Sequence, residues 1–221
     1  MKKTICVAMG AILSLSVLHA GTIGVGGFSG SATVINFDGL TGGSCLGCGD
    51  VVTNQYAGQG VTFSNATATA NTYLATLLPS ASLPNAVFVN QGGGGNFPHL
   101  LLSFSVPVNR VGMDFGLSLD SFFTMAAYDG SNALLETQNF VGATVPAGLA
   151  GFAGLEEATD IAVLDISYHP NSSPSSTFNY VFDNLRFEGT GSSGSATPEP
   201  AAAVLMGAGL AVLGCAFRKK T

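Results

Sequence analysis

Residues His99–Gly116 read HLLLSFSVPVNRVGMDFG. Two short apolar runs, His99–Val108 and Arg110–Gly116, meet at Pro107 and Asn109. In the second, Val111, Met113 and Phe115 share one face, and Arg110, Gly112 and Asp114 share the other. That is the period-two pattern of a strand with one buried side. Proline cannot donate to a strand ladder, so Pro107 marks a break between two strands.

The same pattern recurs outward. Phe122–Tyr128 and Ala133–Phe140 flank Asp129-Gly130, a hairpin turn signal. Asp160–Tyr168 and Phe178–Phe187 follow; Ala32–Phe37, Val61–Ser64 and Ala86–Asn90 precede. Gly39–Asp50 and Gln91–Pro98 read as loops, and Gly-rich Gly21–Ser31 is expected to be poorly ordered. About nine short strands with turns between them, and no amphipathic helix, predict an all-β antiparallel sandwich.

The two ends differ from this body. MKKTICVAMGAILSLSVLHA has Lys2 and Lys3 before an apolar run and Ala20 at a cleavage position, which predicts a signal peptide over residues 1–20. Residues 21–188 are the sandwich, and residues 189–197 a Gly/Ser-rich linker. Residues 198–221 form a tail: Pro198-Glu199-Pro200, an uncharged run over 201–217, then Arg218, Lys219 and Lys220. A helix over that run is roughly 25 Å long, at the short end of what spans a bilayer. The basic end predicts a cytoplasmic C-terminus with the sandwich outside.

Five of the seven basic residues lie in these ends. Residues 21–196 keep only Arg110 and Arg186 against twelve acids, a net charge of −10. No nucleic-acid footprint is present. The absence of lysine there excludes a Walker A lysine, a Schiff-base lysine and a Ser-x-x-Lys nucleophile.

Few residues suggest chemistry. Asp183, in VFDNLRF, alternates onto the face of Val181, Leu185 and Phe187, where a carboxylate needs a partner. Asp38 ends the first strand. With Asn184 and backbone carbonyls, the two aspartates are a candidate Ca²⁺ site; the alternative is that Asp183 caps a turn or accepts backbone N–H bonds. Cys45 and Cys48 sit in a Gly-rich loop. A local disulfide is expected in an oxidising exterior, with free thiols as the alternative, and two cysteines do not make a zinc site. His99 and His169 lack metal-ligand spacing, and no Gly-x-Ser-x-Gly anchors a triad. Glu156 and Glu157 are adjacent, so on a strand they point to opposite faces and do not make a glycosidase pair. Five tyrosines without a tryptophan weaken a sugar-stacking reading.

The tail, with its Pro-Glu-Pro, span and basic end in order, resembles the PEP-CTERM sorting signal of bacterial surface proteins. That resemblance implies an exosortase partner, cleavage near Pro198–Pro200, transient anchoring in the inner membrane, and delivery to the surface of a cell that makes exopolysaccharide. The INFDGL, QYAGQGVTF, LLSFSVPVNRVGMDFG, TMAAYDGSNALLET and YVFDNLRF segments resemble a jelly-roll sandwich often fused to such tails. That sandwich is similar to carbohydrate-binding modules and implies glycan binding. The expectation is an exported, non-catalytic matrix or surface protein. A calcium-assisted lectin is the alternative, and a secreted hydrolase a more distant one.

Overall fold

The computed structural model describes residues 21–42, 49–70, 82, 84–89, 99–117, 121–145, 148–170 and 180–189. In chain order its strands are β1 (Gly21–Thr22), β2 (Thr33–Ile35), β3 (Val51–Val52), β4 (Val61–Ser64), β5 (Ala66–Ala70), β6 (Asn85–Val89) and β7 (Leu100–Phe104). They continue with β8 (Arg110–Leu117), β9 (Ser121–Tyr128), β10 (Leu134–Phe140), β11 (Ala143–Val145), β12 (Gly148–Glu156), β13 (Val163–Pro170) and β14 (Tyr180–Glu188). The helical elements among the described residues are two 3-10 turns, Val25–Gly27 and Ala57–Gln59.

The strands form an all-β antiparallel sandwich of two sheets. The larger runs β1-β12-β8-β14-β6-β5-β3, with β11 also on β12 and β2 also on β14. The smaller runs β10-β9-β13-β7-β4. The alternation seen in the sequence does the packing: Val111, Met113, Phe115 and Leu117 of β8 are buried, as are Phe123, Met125 and Ala127 of β9. Phe115 meets Phe123 edge-on at 4.8 Å, and Phe123 meets Phe182 at 5.5 Å, so the aromatic rings bridge the sheets. Tyr180 stacks on Tyr168 and donates its hydroxyl to the Ile166 carbonyl at 3.2 Å. A buried phenol needs such an acceptor.

The hairpin falls where Asp129-Gly130 predicts, but the left-handed residue is Asn132 (φ 64°), not the glycine. Asp129 Oδ1 accepts Ser131 N–H at 2.9 Å, the Ser131 hydroxyl at 2.7 Å and Ala133 N–H at 2.8 Å. These bonds, that from Ala133 foremost, hold the Asp129 carboxyl below its usual range.

Two expectations are corrected. Residues 21–31 are not poorly ordered: β1 pairs with β12, Phe28 packs edge-on against Phe152 at 5.9 Å, and Ser29 N–H bonds Glu188 at 3.1 Å. Secondly, β12, GLAGFAGLE, is a nine-residue strand in the interior of the larger sheet that the sequence pattern does not reveal. It has no β-branched residue, and its glycines make room for what crosses it. A Cβ on Gly154 would lie 2.8 Å from the Ile23 carbonyl oxygen.

Candidate functional site

Strand β14 changes neighbour partway along. Val181 and Phe182 pair with β6, whereas Leu185–Phe187 pair with β2. Between them Asp183 and Asn184 sit at a bulge, where three steps along β14 match two along β8, from Asp183↔Asp114 to Arg186↔Gly112. Asn184 takes the left-handed conformation (φ 49°) that such a bulge demands.

The bulge corrects the alternation read from VFDNLRF. Phe182, Leu185 and Phe187 belong to the core. Asp183 keeps the phase of Val181 and lies across from Asp114; it does not share a face with Leu185 and Phe187. It is nevertheless 0% exposed.

Donors from a remote segment satisfy it. Asp183 Oδ2 accepts Ser82 N–H at 2.6 Å and the Ser82 hydroxyl at 3.0 Å, and Oδ1 accepts Asn184 N–H at 2.7 Å. Asp38, just after β2, reaches the same serine: Ser82 Oγ lies 3.3 Å from Asp38 Oδ1, and Asn85 N–H donates to that oxygen at 3.4 Å. The two aspartates named in the sequence are therefore brought together, and both carboxylates converge on one hydroxyl. Burial, with the Asp38 charge beside it, pushes Asp183 up to about 7 against the pull of its hydrogen bonds. Burial and the same two acids raise the Tyr56 phenol.

Asn184 serves a different group. Its amide donates to Asp114 Oδ2 at 2.8 Å, and the Arg186 guanidinium lies 3.8 Å from that oxygen and 5.6 Å over the Phe152 ring. Burial still raises the Asp114 carboxyl against these partners. The sequence-predicted trio is thus a pair plus a neighbour. Calcium takes roughly six to eight oxygens, and among the described residues no group of three or more Asp, Glu, His or Cys is gathered. The pair would hold Ca²⁺ through Asp38 and Asp183, with carbonyls such as Asn36 O, which the Ser82 hydroxyl also reaches at 3.1 Å.

Glu156 and Glu157 diverge as expected. Glu156 joins Arg110, whose Nε lies 2.8 Å away, while Arg110 Nη1 binds Glu188 at 3.0 Å. One guanidinium thereby ties β8 to both its neighbours. Burial opposes ionisation of Glu188, but Ser29 and Arg110 outweigh it and leave the carboxyl below its usual range.

A feature the sequence reading passed over lies on the outer face of the smaller sheet. Phe122 and His169, paired across β9 and β13, stack at 4.8 Å and 16°. Beside them are Thr124, bonded to Asn139 at 2.8 Å, and Ser167, 3.1 Å from His169 Nε2. His99 Nδ1 meets Asp165 at 2.7 Å. The carboxylate serves one histidine and the serine the other, so these contacts do not line up as a triad. The legible signal was period two: Phe122 and Thr124, like Ser167 and His169, are the outward positions of their strands.

The signal peptide (1–20), Cys45, Cys48, the Pro198-Glu199-Pro200 triplet, the 201–217 run and Arg218–Lys220 lie outside the described residues. Among the described residues no helix is long and apolar enough to cross a membrane. Searches against family models, curated proteins and solved structures find no significant match to the chain.

Proposed function

We propose that this chain is an exported, non-catalytic component of a cell surface or exopolysaccharide matrix, anchored transiently by its tail and cleaved there by an exosortase. The observation that carries the reading is the ordered tail: Pro198-Glu199-Pro200, an uncharged 201–217 run and Arg218-Lys219-Lys220. A signal peptide at the other end and an acidic, lysine-free body between them agree with it. The sandwich, taken as jelly-roll-like, is the part delivered. Mass spectrometry of the protein recovered from the cell exterior tests this: mature chains should lack every peptide after Pro200. Intact Arg218–Thr221 found only in the inner membrane would leave a plain anchored protein.

A second reading is favoured by the outer face of the smaller sheet. The Phe122–His169 stack beside Thr124, Asn139 and Ser167 offers an aromatic platform flanked by hydrogen-bonding groups, the combination by which proteins hold sugars. In this reading the sandwich is a glycan-binding module, with Asp38 and Asp183 as its calcium ligands. A glycan array that includes the host exopolysaccharide, run with calcium and with EDTA, tests it. Binding that Phe122→Ala abolishes supports the module, and loss in EDTA adds the metal. A folded protein that binds nothing leaves the scaffold. Turnover of an ester or glycoside, abolished by one carboxylate or histidine substitution, would instead establish a hydrolase.

A further inference from the structure

Strand β10 is an edge of the smaller sheet, and its core-facing side carries Glu136, Gln138 and Phe140, opposite Ala127, Met125 and Phe123. The register slips between Leu134 and Glu136, so Leu135 is an extra residue. Without that bulge, Glu136 would fall opposite Ala126; with it, Glu136 faces inward beside the fully buried Ala127. From the other sheet, just past the end of β12, comes Glu157, 4% exposed, its N–H given to the Asn109 carbonyl at 2.8 Å.

Glu157 Oε1 and Glu136 Oε2 are both buried, and neither receives a hydrogen bond from a protein donor. The Gln138 amide is spent on the other oxygen of Glu136. The basic group nearby in sequence register, Arg110, is taken by Glu156 and Glu188. The two carboxyls meet, so two ionised carboxylates there would repel each other, and each keeps one buried oxygen without a donor. One proton resolves both defects: the acid's O–H donates to the carboxylate's oxygen, as in other paired carboxyls.

We propose that Glu136 and Glu157 share a single proton across the gap between the sheets, forming a pH-operated latch that pins the N-terminal half of β10 when protonated and releases it when both acids ionise. The far end of the strand stays anchored, since Phe140 stacks on Phe123 at 5.4 Å and the chain then crosses to β11 on the larger sheet. The surroundings leave the pair to itself. Asp129 in the preceding hairpin is engaged by Ser131 and Ala133, Glu156 is engaged by Arg110, Tyr128 lies opposite Leu134, and Asp160 is exposed in the turn beyond. Burial first, then the Glu136 carboxyl, push Glu157 from its ordinary 4.5 to about 7. The latch is therefore fully closed below about 4.5 and lost as pH rises through about 7.

The test uses the full chain in detergent micelles, with glutamate labelled at the side-chain carboxyl carbon and followed by NMR from pH 4 to 9. Amide exchange along β10 is read alongside and corrected for its intrinsic pH dependence. In the wild type, one glutamate titrates near 7, and β10 exchange between Glu136 and Asn139 rises at least ~10-fold above that point, on the order of what one unit of linked titration supplies. Glu136→Gln moves the Glu157 titration down by at least about one unit, because the like charge is replaced by an amide donor. Glu157→Gln keeps a permanent donor facing Glu136 and makes β10 exchange independent of pH. The proposal fails if no wild-type glutamate titrates above its ordinary range, which needs no variant to fold. It fails if Glu136→Gln leaves Glu157 titrating near 7, since burial alone then explains it. It also fails if millimolar CaCl₂ displaces the proton, since the pair is then a cation site.

Discussion

Asp183 and Glu157 are both acids that burial pushes up to about 7, and they differ in the partners that surround them. Asp183 is well supplied: three hydrogen bonds from Ser82 and Asn184 favour its charge, and burial together with Asp38 overrides them. Glu157 is starved: burial raises it with no opposing hydrogen bond, Oε1 has no donor, and the carboxyl it meets is another acid. Equal displacement therefore does not mean equal role. One carboxyl organises a junction where β14 trades β6 for β2, and the other meets a second acid from the facing sheet.

The largest expected effect separates them directly. Asp183→Ala strands the Ser82 and Asn184 donors in a buried site and should cost about 2–4 kcal/mol of unfolding free energy in urea titration. Glu157→Gln at pH 8, where it relieves repulsion, should leave stability unchanged or raise it. Equal losses in the two variants would collapse the distinction. Next in size is Gly154→Ala, which drives a methyl group toward the Ile23 carbonyl, 2.8 Å from the ideal Cβ position. About 1–3 kcal/mol should be lost, with release of the 21–31 segment visible as faster amide exchange there.

The pH response of the wild type sharpens the comparison. Both groups have folded values above their unfolded ones of 3.8 and 4.5, so each stabilises fully at acid pH and loses that contribution as pH climbs toward about 7. Glu188 and Asp129 act oppositely: their depressed values stabilise above the ordinary carboxylate range and fade as pH falls through it. Urea midpoints should therefore fall between pH 5 and 7.5. Asp183→Asn and Glu157→Gln should each flatten part of that slope, and an unaltered slope in both would refute the assignment. The smallest effect is expected at His99, whose contact with Asp165 leaves its side chain 56% exposed. His99→Ala should change stability by less than about 1 kcal/mol in the same titration.

Much of the fold was legible because apolar alternation survives in β8, β9, β13 and β14. Where the signal failed, the reasons are local. β5 is alanine and threonine alone, and five of the nine residues of β12 are glycine or alanine, so small side chains blur the contrast between faces. At Asp183 the alternation misled, because a bulge inserts one residue and reverses the phase for Leu185 and Phe187. Asp38 and Asp183 were singled out as a possible pair from the sequence, and pairing of β2 with β14 brings them together. Ser82, which joins them, was not singled out, for it lies 101 residues from Asp183 outside any strand.

The order of residues by itself determined the sandwich, the acidic lysine-free body and the uncharged 201–217 run between Pro198-Glu199-Pro200 and a basic end, because periodicity, charge and an uncharged run are properties of neighbours in the chain. Only the tertiary structure decided which acids are supplied with donors and which face each other. Those outcomes depend on a bulge at Asn184, a second bulge at Leu135 and the meeting of segments remote in sequence. Desolvation and hydrogen bonding act over a few ångströms of space, and sequence separation does not report those distances.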